Sequence, residues 1–169
     1  PSGVRFQVDV LRRDPGGPSA VAETGRLGLY IANKGDGRTP TDEASLHEAI
    51  ERLQRSGRAF LADPILDPIP FGLTSSIVRY HRLRERYPEV AIMMGIGNVT
   101  ELTEADTSGI NAVLFGIAAE LKVAAVLTTQ VSAHARRAVR EADRARRIMH
   151  AAARLNSLPK GIDDALMTV

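Results

Sequence analysis

The sequence predicts an α/β protein in which a parallel sheet is covered by helices. Short apolar runs alternate with amphipathic helical stretches four times along the 169 residues, which is the pattern of successive β-loop-α units. The runs are continuously apolar, as expected of parallel strands buried on both faces. A doubly wound sheet and a (β/α)8 barrel both satisfy this pattern. A complete barrel needs about 250 residues, so the chain would supply roughly half of one.

The N-terminal part differs from the remainder. Residues 1–26 are expected to be a separate segment with one strand at Arg5–Leu11, followed by a Pro- and Gly-rich break. Residues 27–169 are expected to carry the β/α units. The chain begins at Pro1 rather than Met, and we expect it to be a piece of a longer protein or a processed chain.

The first β/α unit has the clearest boundaries. Leu27–Ala32 is a short apolar run and predicts a strand. Thr39–Asp42 predicts a helix start, because it combines a capping Thr, a Pro and an acidic residue. Gly57 predicts the end of that helix.

The remaining elements follow the same order of strand, loop and helix. The third helix is expected to be capped by Thr103. The predicted strands are Ala59–Ala62, Val90–Met94 and Val123–Leu127, and the predicted helices are Ser75–Tyr87, residues 104–121 and Ala133–Leu155.

Charge and composition exclude several classes of protein. The net charge is only +2, which does not indicate a nucleic-acid or membrane-surface binder. The longest mostly apolar stretch, Gly109–Leu127, contains Glu120 and Lys122, so no membrane span is predicted. There is no Cys, which fits a reducing compartment, and we expect a cytoplasmic protein.

The histidines and arginines do not form a motif that identifies a metal site or a ligand site. The four His residues have no common metal-ligand spacing, so no metal is predicted. The last helix carries many Arg residues, which we interpret as a solvated outer face, with a phosphate-binding or partner-binding surface as the alternative. The arginines are Arg136, Arg137, Arg140, Arg144, Arg146, Arg147 and Arg154.

Polar side chains follow each predicted strand, at the edge where parallel sheets bind ligands. Asp63 can accept paired N–H donors from a heterocycle, or it can bind backbone amides in a turn. Asn98, in a Gly-rich loop, offers both a donor and an acceptor to a ring edge, or it caps a turn. The other candidate ligand-binding residues are Asn33, Lys34, Asp67 and Gln130.

Several blocks of sequence together resemble one family. The blocks are Ala62–Gly72, Ser76–Tyr80, Met94–Thr107, Gly109–Asn111, Val126–Ser132 and His134–Arg147. In these blocks the chain is similar to the dihydropteroate synthase-related proteins of the pterin-binding (β/α)8 superfamily, most densely between residues 60 and 159. This resemblance implies the later half of a barrel.

The resemblance implies a pterin site and also shows departures from the synthase pattern. Asp63 matches the strand-end Asp that holds the pterin in dihydropteroate synthase. The synthase has a Lys that binds the pterin, and this chain has Gly97-Asn98-Val99 in the corresponding segment. The synthase also has an Arg and a His that bind pyrophosphate, and this chain has Thr128-Thr129-Gln130 there. The Asn98 segment instead resembles the pterin-contacting Asn-Val-Ser of corrinoid methyltransferases. Asp63 and Asn98 are therefore expected to converge on a pterin.

The resemblance implies a pterin-binding transferase of tetrahydromethanopterin or folate-type cofactor synthesis, which condenses a pterin with an arylamine. A non-catalytic pterin-binding or assembly module and methyl transfer from a reduced pterin are the alternatives. The pterin would be substrate or ligand, and no other cofactor is expected. Because a half barrel exposes sheet edges, the expected partner is the missing barrel half or a second copy of the chain.

Overall fold

The structure is a computed structural model that describes residues 21–24, 27–31, 43–57 and 59–167. The chain divides into two compact units, residues 1–64 and 65–169. The predicted strand at Arg5–Leu11 and the predicted helix start at Thr39–Asp42 lie outside the described residues. The predicted boundary after residue 26 stays a prediction.

The first unit contains a three-stranded sheet in the order β1-β2-β3. Strands β2 and β3 are parallel, with Ile31 opposite Asp63, but β1 runs antiparallel to β2. Strand β1 is not among the strands predicted from the sequence, whereas the predicted strands that pair are parallel as expected. Two residues separate β1 from β2 in the sequence, and so short a connection joins only antiparallel strands. The elements are β1 Val21–Thr24, β2 Leu27–Ile31, α1 Glu43–Arg55 and β3 Phe60–Asp63.

Helix α1 confirms the predicted amphipathic pattern. Leu46, Ala49, Ile50 and Leu53 recur at helical spacing, and all four are buried. The helix ends two residues before Gly57, whose φ of 66° lies in the left-handed region that glycine adopts without a steric penalty.

The second unit places two parallel strands among four helices. Strands β4 and β5 pair in parallel, with Met94 opposite Val126. The alternation of strands and helices around parallel pairs confirms the predicted α/β class. The elements are α2 Leu73–Arg86, β4 Met93–Gly95, α3 Gly97–Thr100, α4 Thr107–Glu120, β5 Ala125–Leu127 and α5 Ala138–Leu155.

Helix α4 begins later than predicted. Asp106 is the N-cap, and its carboxylate accepts hydrogen bonds from the backbone N–H groups of Ser108 and Gly109 at 3.1 and 3.0 Å. The predicted cap at Thr103 is therefore wrong. A capping carboxylate can bind two of the unpaired N–H groups of the first turn and also interacts favourably with the helix dipole.

Two loops differ from their predicted form. The segment predicted as a loop from Gly95 to Thr100 contains the short helix α3. The last helix was predicted from Ala133 but starts at Ala138, because residues 134–137 form a turn and the Ala135 N–H binds the Ser132 carbonyl rather than continuing a helix.

Arg84 joins the end of α2 to the end of α4. Its guanidinium donates to the carbonyl oxygens of Leu121 at 2.8 Å and Lys122 at 3.1 Å, and it also binds the carbonyls of Pro88 and Val90 before β4. A cation at these unpaired carbonyls stabilises the helix C-terminus.

Among the described residues, none of the helices could cross a membrane.

We expect Gly72→Ala to destabilise the protein. Gly72 has a φ of 118°, and a Cβ there would lie 3.1 Å from the Cβ of Asp67, so strain and crowding should lower the free energy of unfolding by about 1–3 kcal/mol. Gly116→Ala is the matched control, because nothing lies within 4 Å of its added Cβ in α4. The control should raise stability by about 0.5–1 kcal/mol. Equal effects in urea denaturation would contradict this account.

Candidate functional site

The candidate site lies at the carboxyl ends of β4 and β5, where residues 96–101 and 128–132 follow the strands; we call it the strand-end site. Parallel strands bring both carboxyl ends to one edge, which is where α/β sheets bind ligands. The two loops are in close contact. A Cβ at position 97 would lie 3.1 Å from Oγ1 of Thr129, so any larger residue there would crowd the Thr129 side chain.

Glu101 links the two loops through hydrogen bonds. Its Oε1 accepts hydrogen bonds from Thr129 Oγ1 at 2.9 Å and from the Val131 N–H at 2.8 Å, and its Oε2 accepts one from the Ser132 N–H at 2.8 Å. The Val131 N–H makes the largest contribution to lowering the pKa of the Glu101 carboxyl to about 2, and Ser132 lowers it further. The charged carboxylate therefore occupies two main-chain donors of the second loop.

Asn98 presents a carboxamide at the start of the first loop. It lies in α3 and is exposed, and its Nδ2 donates a 2.8 Å hydrogen bond to the carbonyl of Leu66. This bond orients the side chain. No partner from the described part of the chain binds Oδ1 of Asn98, so this oxygen can accept a bond from a ligand, and the second Nδ2 hydrogen can donate one.

Asp67 is bound to a buried arginine. Arg79 is 7% exposed and donates to Asp67 Oδ2 at 2.9 Å and to the Ile65 carbonyl at 2.6 Å. The backbone N–H of Asp67 donates to Ser76 Oγ at 3.1 Å. These bonds fix the loop that supplies the Leu66 carbonyl to Asn98. A ligand-binding role of Asp67 stays a prediction, and the structure gives its carboxylate a role in holding this loop.

The other predicted site residues lie in different parts of the chain. Asp63 is the last residue of β3 in the first unit and is only 5% exposed. Gln130 is exposed in the second loop of the strand-end site. Asn33 and Lys34 lie outside the described residues. The strand-end site thus contains Asn98 and Gln130, and the predicted convergence of Asp63 with Asn98 stays a prediction.

Sequence reasoning missed Glu101 and Arg79. Glu101 binds residues about 30 positions away, and no local pattern predicts such a contact. Arg79 lies inside the quoted block Ser76–Tyr80, and an Arg on the otherwise apolar side of a helix could have signalled a buried ion pair. Within residues 43–57 and 59–167, His, Asp and Glu form no cluster of three or more with metal-binding geometry.

We expect Arg79→Met to lower the free energy of unfolding by about 2 kcal/mol, because it leaves the Asp67 carboxylate and the Ile65 carbonyl without their guanidinium partner. Arg82→Met, on the exposed side of the same helix, is the control and should change stability by less than about 0.5 kcal/mol. Urea denaturation measures both. A similar small effect of the two variants would show that the Arg79 bonds do not stabilise the fold.

We expect Glu101 to make stability depend on acid pH. Its pKa of about 2 in the fold lies below the ordinary value of 4.5, so its contribution is present above pH 4.5 and is lost as the pH falls towards 2. The free energies of unfolding of the unchanged protein and of Glu101→Gln should therefore differ most near neutral pH and become similar near pH 2. The exposed Glu89→Gln is the control. Parallel curves for the protein and Glu101→Gln would contradict the bonding described.

Comparisons with known proteins identify one related segment. No family model and no solved structure matches the chain. A protein of Methanocaldococcus jannaschii, described as uncharacterized, is 36% identical over 122 residues. The aligned part is 70% of this chain but 23% of the relative, so the chain spans about a quarter of the relative's length. The chain is thus similar to one segment of a longer protein.

Proposed function

We propose that the strand-end site binds a reduced pterin and that the chain serves the synthesis of a tetrahydromethanopterin or folate-type cofactor. The observation that carries this proposal is the exposed Asn98 carboxamide, which the Leu66 carbonyl orients at the end of a parallel strand. A pterin edge alternates donors and acceptors, and a fixed carboxamide matches one donor and one acceptor of such an edge. Gln130, exposed on the neighbouring loop, would supply the second contact.

The position of these groups supports the half-barrel interpretation of the β/α units. In a (β/α)8 barrel the ligand lies at the carboxyl ends of the strands, and catalytic groups come from several different loops. The strand-end site holds two such loops. The remaining loops of a barrel would come from polypeptide outside this pair of strands, which is the role we propose for the missing barrel half.

The transferase reaction would condense an activated pterin with an arylamine. Departure of pyrophosphate requires compensating positive charge near the leaving oxygens. Residues 96–101 and 128–132 contain neither Lys nor Arg, and two main-chain donors, the Val131 and Ser132 N–H groups, are bound to Glu101. A transferase would therefore need cations from outside the strand-end site.

The same observation favours a second candidate function, a pterin-binding module without catalytic activity of its own. Neutral hydrogen-bonding side chains hold a heterocycle without a leaving-group site. Turnover of a pterin pyrophosphate with an arylamine by the purified chain would favour the transferase. Binding of the pterin without turnover would favour the module.

Calorimetric titration of the chain with 7,8-dihydropterin tests the proposal. We expect one binding site. Asn98→Ala should reduce the affinity about five- to thirtyfold, because it removes one donated and one accepted hydrogen bond, each worth about 0.5–1 kcal/mol net. Gln130→Ala should reduce the affinity about three- to tenfold, because it removes one contact. Gln130 makes no hydrogen bond in the described part of the chain, so its effect would not reflect a damaged fold.

Gln54→Ala, on the exposed side of α1, is the control and should bind like the unchanged chain. Asp63→Asn tests the role that the resemblance gives to Asp63, and weaker binding is expected. Absence of pterin binding by the unchanged chain would overturn the proposal. Binding that neither Asn98→Ala nor Gln130→Ala weakens would place the pterin elsewhere.

A further inference from the structure

A concave surface lies beside β5, between α4 and α5. Its volume is about 470 Å³, and its lining is mostly apolar. We call this cleft the β5 groove. Phe115 and Ala118 of α4 form one side, and Val139, Ala142 and Met149 of α5 form the other. None of the residues predicted to bind a pterin lines it.

The floor of the β5 groove is the edge of a strand. Residues 123–126 all line the groove, and Ala125 and Val126 of this set belong to β5. Side chains of a strand alternate between its two faces, so two neighbouring strand residues both line one cleft where that cleft meets the strand from the side. The main chain of β5 is therefore part of the groove surface.

The hydrogen bonds of β5 leave this edge open. The Ala125 N–H donates to the Ile92 carbonyl at 3.2 Å, and the Leu127 carbonyl accepts from the Ile96 N–H at 2.9 Å. Because main-chain groups alternate in direction along a strand, those of Val126 point to the opposite edge. Within the described residues, β5 pairs with β4 alone, so Val126 offers one donor and one acceptor to a further strand.

A side chain at the end of the groove also lacks a partner. Thr128 lines the groove, and its Oγ1 is buried without a hydrogen bond in the described part of the chain. A buried hydroxyl without a partner is unfavourable. An extended polypeptide on the β5 edge would bring main-chain groups near it and could satisfy it.

The groove carries more positive than negative charge. Two cationic side chains, Lys122 and Arg146, line it together with one carboxylate, Asp143. Arg146 binds Asp143 at 2.8 Å and remains 58% exposed. A second copy of the chain would bring the same cations to the interface, whereas an acidic segment would be attracted to them.

We propose that the β5 groove binds an extended polypeptide segment, with apolar side chains and acidic residues, as a further strand of the sheet. Its main chain would pair with Val126, its apolar side chains would pack between α4 and α5, and an acidic side chain would lie beside Arg146. This is strand addition, in which main-chain bonds give affinity and side chains give specificity. The inference does not depend on pterin binding, and a strand of the missing barrel half would compete with this segment for the same edge of β5.

The test is an NMR titration of the whole chain with a short capped peptide of sequence Glu-Val-Thr-Val-Thr-Glu. We expect the amide signals of Val126 and Thr128 to shift and their hydrogen exchange to slow. Arg146→Glu should weaken binding about fivefold. Arg147→Glu is the matched control: Arg147 also binds Asp143, at 2.9 Å, but does not line the groove, so its variant should bind nearly as well as the unchanged chain.

Two further peptides test the charge contact and the main-chain hydrogen bonds separately. A peptide with Lys in place of Glu should bind Arg146→Glu better than the unchanged chain. A peptide methylated at its central main-chain nitrogens should bind much more weakly, because it cannot form the strand bonds. Absence of shifts at millimolar peptide, shifts away from β5, equal binding of the methylated peptide, or equal effects of the two Arg variants would overturn the proposal. A dimer in light scattering whose β5 amides are protected would overturn it in favour of a second copy.

Discussion

The Glu101 carboxylate is the interaction on which the strand-end site depends. It connects the loop after β4 to the loop after β5 through three hydrogen bonds of 2.8–2.9 Å. Because β4 and β5 have only three residues each, strand pairing alone constrains their loops weakly. The same bonds place a negative group on the N–H donors that an anionic ligand would otherwise use. The site is thus ordered and favours neutral hydrogen bonding.

A second set of bonds orients Asn98 from the other side. Arg79 holds Asp67 and the Ile65 carbonyl, and the loop so fixed presents the Leu66 carbonyl to Asn98. A buried charge pair is costly unless each partner is satisfied, and here the guanidinium binds a carboxylate and a main-chain carbonyl together. Strand β5 contributes to two surfaces. Its carboxyl end leads into one loop of the strand-end site, and its free edge forms the floor of the β5 groove.

Local patterns predicted the elements well and their contacts poorly. The apolar spacing of α1 and the stop at Gly57 are properties of neighbouring residues, and both agree with the structure. The choice of Asp106 over Thr103 as a cap depends on which side chain reaches two N–H groups, and both residue types are good caps. The Glu101 contacts join residues about 30 positions apart, so they depend on the pairing of β4 with β5 rather than on local sequence.

The central claim is that a reduced pterin binds at Asn98. The most direct measurement is the NMR spectrum of the chain labelled with nitrogen-15, recorded with and without 7,8-dihydropterin. The account predicts a large shift of the Asn98 side-chain amide signals, together with intermolecular contacts between the ring protons and the loops after β4 and β5. Unchanged Asn98 signals at saturating pterin, or contacts confined to another surface, would contradict it.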